Sequence, residues 1–392
     1  MKQVLFALLF ASALHAAPAL PASQEEEISL DSLGKDSAVP APAVPVSQGA
    51  QPGTKEIDVI VAVDMTAERF DGEKKSTETF SSNHEYVVLG LHPEPRVSFL
   101  IEIVGLTYWE FQYFASANTL LKFGKIAVPF GPMFLHSLLG GVVGKPRDGG
   151  GETALMLPLE WTEYGAAWEQ RLVDRYTWSL KSNFWITNGL SGRANPERQT
   201  VDITEGAGKV RDNNQDKAVG LRLENRFLGK YGLNFSFYTC KWANDDPEDT
   251  KARFYEGDRI VLGNADIELG YGFLPWPVLR NLRLRAEGAL MRTHSTERTA
   301  AQDLRVPWHN KTASLVELTY NGMHRFCDLR LRAGTYDDNT GILNSHDLAN
   351  FNVGLTFYPL KSLQIIPMYM WNRERVNETK DDFFFIKFFI QI

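Results

Sequence analysis

Six arginines alternate with apolar residues along three stretches of the chain, and this spacing suits the binding of anions. They are Arg222, Arg226, Arg283, Arg285, Arg330 and Arg332. Successive side chains of an extended strand point to opposite faces, so each stretch brings its arginines to one face. A guanidinium group matches the geometry of phosphate and carboxylate through paired hydrogen bonds. A face that carries these arginines therefore favours anions.

Carboxylates are interleaved with these arginines along the chain, and they leave the sign of the face open. The acidic positions are Glu224, Asp266, Glu268, Glu287, Glu317 and Asp328. Opposed charges across a water-filled channel create a transverse field that need not select one sign of ion. Salt bridges that pack a channel wall are an equally good interpretation. We predict that the water-facing positions are Lys181, Arg222, Arg226, Arg283, Arg285, Glu287, Arg292, Arg330 and Arg332.

The sequence predicts no enzyme, no cofactor and no metal site. His136 precedes Ser137 and His294 precedes Ser295, but neighbouring residues on a strand point to opposite faces and make no nucleophile–base contact. No His and Cys residues have the spacing of metal ligands, and no glycine-rich phosphate loop is present. The net charge of −7 argues against a nucleic-acid-binding protein.

The stretch from Asp381 to Ile392 indicates which elements hold these charges. Apolar residues recur at Phe384, Ile386, Phe388 and Ile390, which is the period of a strand with one apolar face. Its length of about 11 residues suits a tilted transmembrane strand, whereas a transmembrane helix needs about 20 apolar residues. Because unpaired backbone groups are costly in lipid, such a strand must pair on both edges. The sequence therefore predicts a closed barrel, and the alternative for this stretch is an edge strand of a soluble β-sandwich.

The chain repeats this kind of run from Ile57 onward, about sixteen times. The runs are 57–66, 84–91, 96–104, 107–114, 119–128, 163–171, 176–187, 217–227, 232–242, 258–272, 280–294, 311–321, 326–336, 348–359, 363–374 and 382–392. Short and long connections alternate, as in an up-and-down barrel, except at Gly105–Leu106, where a long loop is expected. The predicted fold is all-β: a transmembrane antiparallel up-and-down β-barrel at residues 55–392.

The first part of the chain is predicted to lie outside the barrel. Residues 1–16 have a basic start, a short apolar run and small residues, which are typical of a cleaved signal peptide. Residues 17–54 include a Pro/Ala-rich run and are predicted to form a disordered periplasmic tail. Export without a stop-transfer helix leaves the periplasm, the outer membrane or the medium, and the predicted barrel favours the bacterial outer membrane.

Two features resemble known families. The amphipathic closing strand resembles that of outer-membrane β-barrel proteins, which the barrel assembly machinery reads, although this chain has Ile392 where Phe is usual. The segment from Leu121 to Gly131, with Gly124, Lys125 and Pro129-Phe130-Gly131, resembles a segment of the phosphate-selective porin O and P family. Trp185 to Leu190 is similar to a strand end of the same porins.

The resemblance implies a sixteen-stranded channel, often trimeric, in which one loop folds inward and narrows the pore. The loop that corresponds here is Pro129 to Thr162, and Lys145, Arg147 and Asp148 are its predicted constriction residues. The alternative is a loop on the cell exterior.

Together these features predict an outer-membrane porin for the passive diffusion of small hydrophilic solutes or ions, with an anion preference as one option. Its expected partners are outer-membrane lipids, the barrel assembly machinery, the solutes and other copies of the chain in a trimer. The alternative is a plugged or scaffold barrel that acts as an adhesin, a receptor or a sheath for a periplasmic partner.

Overall fold

The computed structural model is a closed antiparallel β-barrel of sixteen strands. It describes residues 56–71, 76–104, 108–131, 156, 161–195, 200–205, 216–242, 259–294, 308–324, 327–337, 339–341, 348–360, 362–374 and 382–391. The predicted signal peptide and tail lie outside these residues. No helix among the described residues is long and apolar enough to cross a membrane.

The described residues form eighteen strands, of which sixteen build the barrel. They are β1 (Glu56–Asp71), β2 (Ser76–Glu94), β3 (Val97–Glu102), β4 (Trp109–Ser116), β5 (Thr119–Ala127), β6 (Thr162–Arg175), β7 (Trp178–Thr187), β8 (Ser191–Asn195), β9 (Thr200–Glu205), β10 (Ala218–Phe227), β11 (Tyr231–Lys241), β12 (Arg259–Leu269), β13 (Leu282–His294), β14 (Trp308–His324), β15 (Cys327–Asp337), β16 (Leu348–Leu360), β17 (Leu363–Glu374) and β18 (Phe383–Gln391). Strands β8 and β9 form a separate two-stranded sheet.

The barrel closes where β1 pairs with β18, from Ala62 opposite Gln391 to Phe70 opposite Phe383. Every other barrel strand pairs with its sequence neighbour, except that β7 pairs with β10 across the β8–β9 hairpin. Each predicted run therefore corresponds to one barrel strand. The sequence missed the hairpin and underestimated the lengths of β1 and β2, because the added residues 67–71 and 76–83 are mostly polar.

The two ends of the barrel differ in their connections. Short turns join β2–β3, β4–β5, β6–β7, β10–β11, β14–β15 and β16–β17, and the longer turn of β12–β13 contains a 3₁₀ segment at Pro277–Leu279. We call this the turn end, and the opposite end, which has the long connections, the loop end. The irregular point predicted at Gly105–Leu106 is part of a loop-end connection between Glu102 and Trp109, so the alternation continues there.

Burial separates the two faces of the sheet. In β11, Asn234, Ser236 and Tyr238 are buried, whereas Phe235 and Phe237 between them are about half exposed. The buried positions face the interior, because hydrogen bonds there join strands that are not neighbours. One example is the Tyr238 hydroxyl of β11, which donates to Glu163 of β6 over 2.8 Å. The outer face is thus apolar and the inner face is mixed, as the alternation predicts.

A large apolar cluster lines the loop-end half of the interior along the wall from β5 to β15. It comprises Ile126, Val128, Phe130, Met156, Trp161, Trp185, Leu190, Ala218, Tyr238, Cys240, Trp242, Ile260, Leu262, Ala289, Met291, Ala313 and Tyr336. Trp185 fits because Gly220 lies beneath its ring: a Cβ built on Gly220 would stand 2.1 Å from ring atoms of Trp185.

The described ends of the 129–162 loop belong to this cluster and lie inside the barrel. The Gly131 N–H donates to Ser236 Oγ on the inner face of β11 over 3.1 Å, and Met156 is fully buried. The Phe130 and Trp161 rings lie 5.5 Å apart, and the Trp161 and Tyr238 rings meet edge-on at 4.8 Å. Both ends of the loop therefore run inward. The predicted constriction residues Lys145, Arg147 and Asp148 lie outside the described residues.

A buried carboxylate, Glu163, links the base of this loop to the wall. Glu163 is 1% exposed and accepts hydrogen bonds from Trp161 Nε1 at 2.5 Å, Gly189 N at 3.0 Å, Tyr238 and the Thr187 hydroxyl. These four donors come from the loop base, the end of β7, the connection after it and β11. Burial of a carboxylate is tolerated when its lone pairs are satisfied in this way.

We predict that Glu163→Gln destabilises the barrel by about 1–3 kcal/mol. The substitution replaces one acceptor oxygen by an NH₂ group, which cannot accept a hydrogen bond from the N–H and O–H donors that surround it. The measurement is the temperature at which the folded form is lost on an unheated-versus-heated gel. Glu169→Gln, on the same face of β6 but 26% exposed in its ion pairs, is the matched control and should cost less than about 1 kcal/mol. Equal losses in the two variants would contradict a special role for Glu163.

Candidate functional site: the charged inner wall

The turn-end half of the interior carries a band of charged residues, which we call the charged band. Its cations are Lys122, Lys181, Arg222, Arg226, Arg283, Arg285, Arg330 and Arg332, and its acids, equal in number, are Glu110, Glu169, Glu224, Asp266, Glu268, Glu287, Glu317 and Asp328. All occupy inward positions, because each shares its strand parity with residues buried inside the barrel. The predicted water-facing set is largely contained in this band.

On β4–β7 the band begins with two lysines between two glutamates. Lys122 Nζ lies 3.5 Å from Glu110 and 3.9 Å from Glu169, and Lys181 Nζ lies 2.9 Å from Glu169. Sequence reasoning identified Lys181 but missed the other three. The same alternation of apolar and polar residues could have identified them. Glu110, for example, lies between the outward-facing Trp109 and Phe111.

On β10–β12 the centre of the band is a buried arginine. Arg222 Nη1 donates to Asp266 at 2.9 Å and to Ser236 Oγ at 2.8 Å, and its Nε lies 3.3 Å from Glu224. Asn234 Nδ2 donates to the other oxygen of Asp266 at 2.6 Å. The arginine and both acids are thus held by fixed partners.

From β12 to β15 the band is a row of opposite charges. Glu268 lies directly opposite Arg285, Arg285 opposite Glu317, and Glu317 opposite Arg332. Directly opposed side chains of an antiparallel sheet have Cβ atoms about 5 Å apart, so opposite signs attract. Arg332 accordingly donates to Glu317 at 2.7 Å, and Arg285 lies 3.6 Å from Glu268 and 3.9 Å from Glu317.

The remaining charges join this row at its edges. Arg283 donates to Glu268, and Arg226 reaches the same carboxylate at 3.8 Å from the turn end. Arg330 lies beside Glu317 and Tyr358, and the Tyr358 hydroxyl donates to Asp328 at 2.8 Å. Glu287 accepts from Asn264 Nδ2 at 2.7 Å. These side chains are therefore arranged as salt bridges and hydrogen bonds along the wall, which is one of the two interpretations that the sequence allowed.

Arg292 requires a correction, because the structure places it on the outer face. It shares its parity on β13 with the outward Leu290, whereas Arg283, Arg285 and Glu287 share the other parity. Its guanidinium carbon lies 4.4 Å from the centre of the Trp308 ring. The prediction assigned Arg292 by charge, although its position along the strand puts it on the outer side of the barrel.

Beyond the charged band, the inner wall becomes amide-rich and then apolar. Asn350, Asn352 and Thr356 line the inner side of β16, and an apolar cluster of Ile366, Met368, Met370 and Phe385 lines β17 and β18. The register sets Arg332 opposite Asn352 and Asn352 opposite Met370. The charged band is therefore followed, on β16–β18, by a wall of mostly neutral side chains that also includes the buried Lys387. Neither patch was predicted from the sequence.

No protein-family model matches this sequence, and a search of curated proteins gives no match.

Comparison with solved structures gives the fold. DcaP, an outer-membrane channel of Acinetobacter baumannii, superposes with a TM-score of 0.54 at 10% identity, over 86% of this chain and 97% of DcaP. OmpT of Vibrio cholerae gives 0.53 at 10% identity, over 87% and 99%. OmpF of Salmonella typhi, solved with daunomycin, gives 0.53 at 12% identity, over 86% and 98%. The resemblance to the porin O and P family stays a prediction. The predicted fold class is confirmed, because the chain has the fold of bacterial outer-membrane β-barrels.

Proposed function

We propose that the protein is an outer-membrane porin through which small hydrophilic solutes and ions diffuse passively. The observation that carries the proposal is a closed sixteen-stranded sheet with an apolar, exposed outer face and a charged inner face. A closed sheet satisfies its backbone hydrogen bonds without water, so it is stable in hydrocarbon. Charged side chains on the inside then replace part of the hydration of a solute.

The orientation follows from the two ends of the barrel. Barrels of this class have short periplasmic turns and longer extracellular loops. We therefore propose that the turn end faces the periplasm and the loop end the cell exterior. Assembly by the barrel assembly machinery, through the closing strand, and trimer formation remain part of the proposal.

We propose that the channel selects weakly between anions and cations. The charged band has as many carboxylates as cations, and its arginines lie beside carboxylates, so the band itself gives no support to an anion preference. An arginine that is already neutralised by a carboxylate at 2.7–2.9 Å has little field left for a passing anion.

We also propose that the 129–162 loop narrows the channel, with Lys145, Arg147 and Asp148 at the constriction. The support is the inward course of its described ends, from Val128 to Gly131 and at Met156 and Trp161.

A plugged barrel is the second candidate, and a specific observation favours it. The apolar cluster at the loop end packs Trp161, Trp185 and Tyr238 against the described ends of the inward loop, which is more typical of a filled interior than of a wide pore. A barrel of this kind would act as an adhesin, a receptor or a sheath.

Solute flux separates the two candidates. Liposomes that contain the purified protein should swell in isotonic solutions of small sugars, and planar bilayers should show discrete conductance steps. Glu163→Gln protein in the same lipid is a useful comparison, because a loosened loop should increase the step size. Folded protein that gives neither swelling nor steps would exclude the porin and leave the plugged barrel.

Selectivity is tested by removing arginines from the inner and from the outer face of the barrel wall. Arg283→Ala and, on β15, Arg330→Ala each expose a carboxylate of the charged band, so the reversal potential in a salt gradient should move toward cations. Arg292→Ala removes the same charge from the outer face of β13 and should leave the reversal potential unchanged. A shift for Arg292→Ala, or no shift for either inner variant, would contradict the assignment of faces.

The loop is tested by shortening it. Replacing residues 141–151 by a short Gly-Ser linker keeps Phe130, Met156 and Trp161 and should raise the single-channel conductance. Shortening the 243–257 connection between β11 and β12 by the same number of residues is the control and should change it less. Equal conductances for wild type and the 141–151 variant would place the constriction elsewhere.

A further inference from the structure

Two arginines on the outer wall differ from those of the interior in forming no ion pair with an acidic side chain of the described residues. Arg259 begins β12, Arg292 lies near the loop end of β13, and both are exposed. Among the described residues, neither forms an ion pair, whereas the arginines of the charged band lie against carboxylates. Guanidinium groups that lack a carboxylate neighbour in this part of the structure can accept an external anion as their counterion.

The register brings the two arginines together. Val261 pairs with Arg292, and Arg259 lies two residues before Val261 on the same face of the sheet. Diagonal neighbours of this kind have Cα atoms about 7–8 Å apart, which two arginine side chains span easily. A phosphate group between them would receive paired, charge-assisted hydrogen bonds from both.

An aromatic residue fixes the depth of this pair. Trp308 begins β14, its ring lies 4.4 Å from the Arg292 guanidinium carbon, and the His294 ring packs on it at 4.5 Å. Trp is enriched at membrane interfaces, where its apolar ring and polar N–H reach both environments. The arginines therefore lie at headgroup level on the loop end of the barrel.

The wall directly below the arginines is apolar and offers space. Leu290 is about half exposed, and Gly263 and Gly288 have nothing within 4 Å of the position of an added Cβ. Gly263 pairs with Leu290, and Gly288 with Ala265, so these positions form one shallow depression. An acyl chain can approach the backbone there.

We propose that Arg259 and Arg292 bind a phosphate of a phosphorylated glycolipid in the outer leaflet, with an acyl chain in the depression below. The inference depends on the proposed outer-membrane location but not on channel activity. The wall supplies both parts of an anionic lipid site, cations at headgroup level and an apolar surface beneath them, and a free anion would use only the first.

Native mass spectrometry of the full chain in detergent tests this proposal. The probes are bis-phosphorylated lipid A and its dephosphorylated form with the same acyl chains. The wild-type protein should bind the phosphorylated form at least about tenfold more tightly, and Arg259→Gln/Arg292→Gln should lose most of that preference. Arg96→Gln/Arg175→Gln, which removes the same charge from exposed turn-end positions, should keep it.

Three results would overturn the site. The preference could survive in Arg259→Gln/Arg292→Gln, it could fall equally in Arg96→Gln/Arg175→Gln, or inorganic phosphate at the lipid concentration could displace the lipid. The last result would mean a free-phosphate site without a lipid requirement. Heat-modifiable gel mobility confirms that each variant is folded, and conductance, measured separately, reports on the porin proposal.

Discussion

Closure of the sheet is the constraint on which the rest of the structure depends. An antiparallel sheet with free edges exposes unpaired N–H and C=O groups, each of which costs several kcal/mol in hydrocarbon. The pairing of β1 with β18 removes those edges. Closure also creates an inside and an outside, so one two-residue alternation can supply an apolar wall toward lipid and a polar wall toward water. The burial alternation along β10 to β13 follows directly from it.

Register then decides what the polar wall becomes. The alternation puts Glu268, Arg285, Glu317 and Arg332 on the inner face, but only the pairing of the strands makes them direct neighbours of alternating sign. A shift of the strand register by two residues would leave each side chain on the same face of the sheet but would place it opposite a different residue. The electrostatics of the interior are therefore a property of register, and a partly buried arginine of this wall is held in place by carboxylates on the adjoining strands.

This division explains how much the sequence could predict. Strand positions and faces depend on local periodicity, so all sixteen barrel strands and the inward positions of Arg222, Arg283 and Arg330 could be inferred. Ion pairing depends on register and could not. Arg292 was misassigned because charge was given more weight than parity, and the polar residues 67–71 of β1 and the β8–β9 hairpin carry no apolar alternation. The course of the 129–162 loop depends on distant contacts, such as that between Gly131 and Ser236.

The interior needs directional bonds as well as apolar contact to hold that loop in one place. Burial of apolar side chains such as Phe130 and Met156 stabilises the loop but is non-directional, so it changes little with small rotations and shifts. The hydrogen bonds of the Glu163 carboxylate are directional: its four donors converge from different segments, and each bond weakens steeply when it is misaligned. A fully satisfied carboxylate inside an apolar cluster thus gives the loop base one preferred position, and a constriction built on that base would have a defined width.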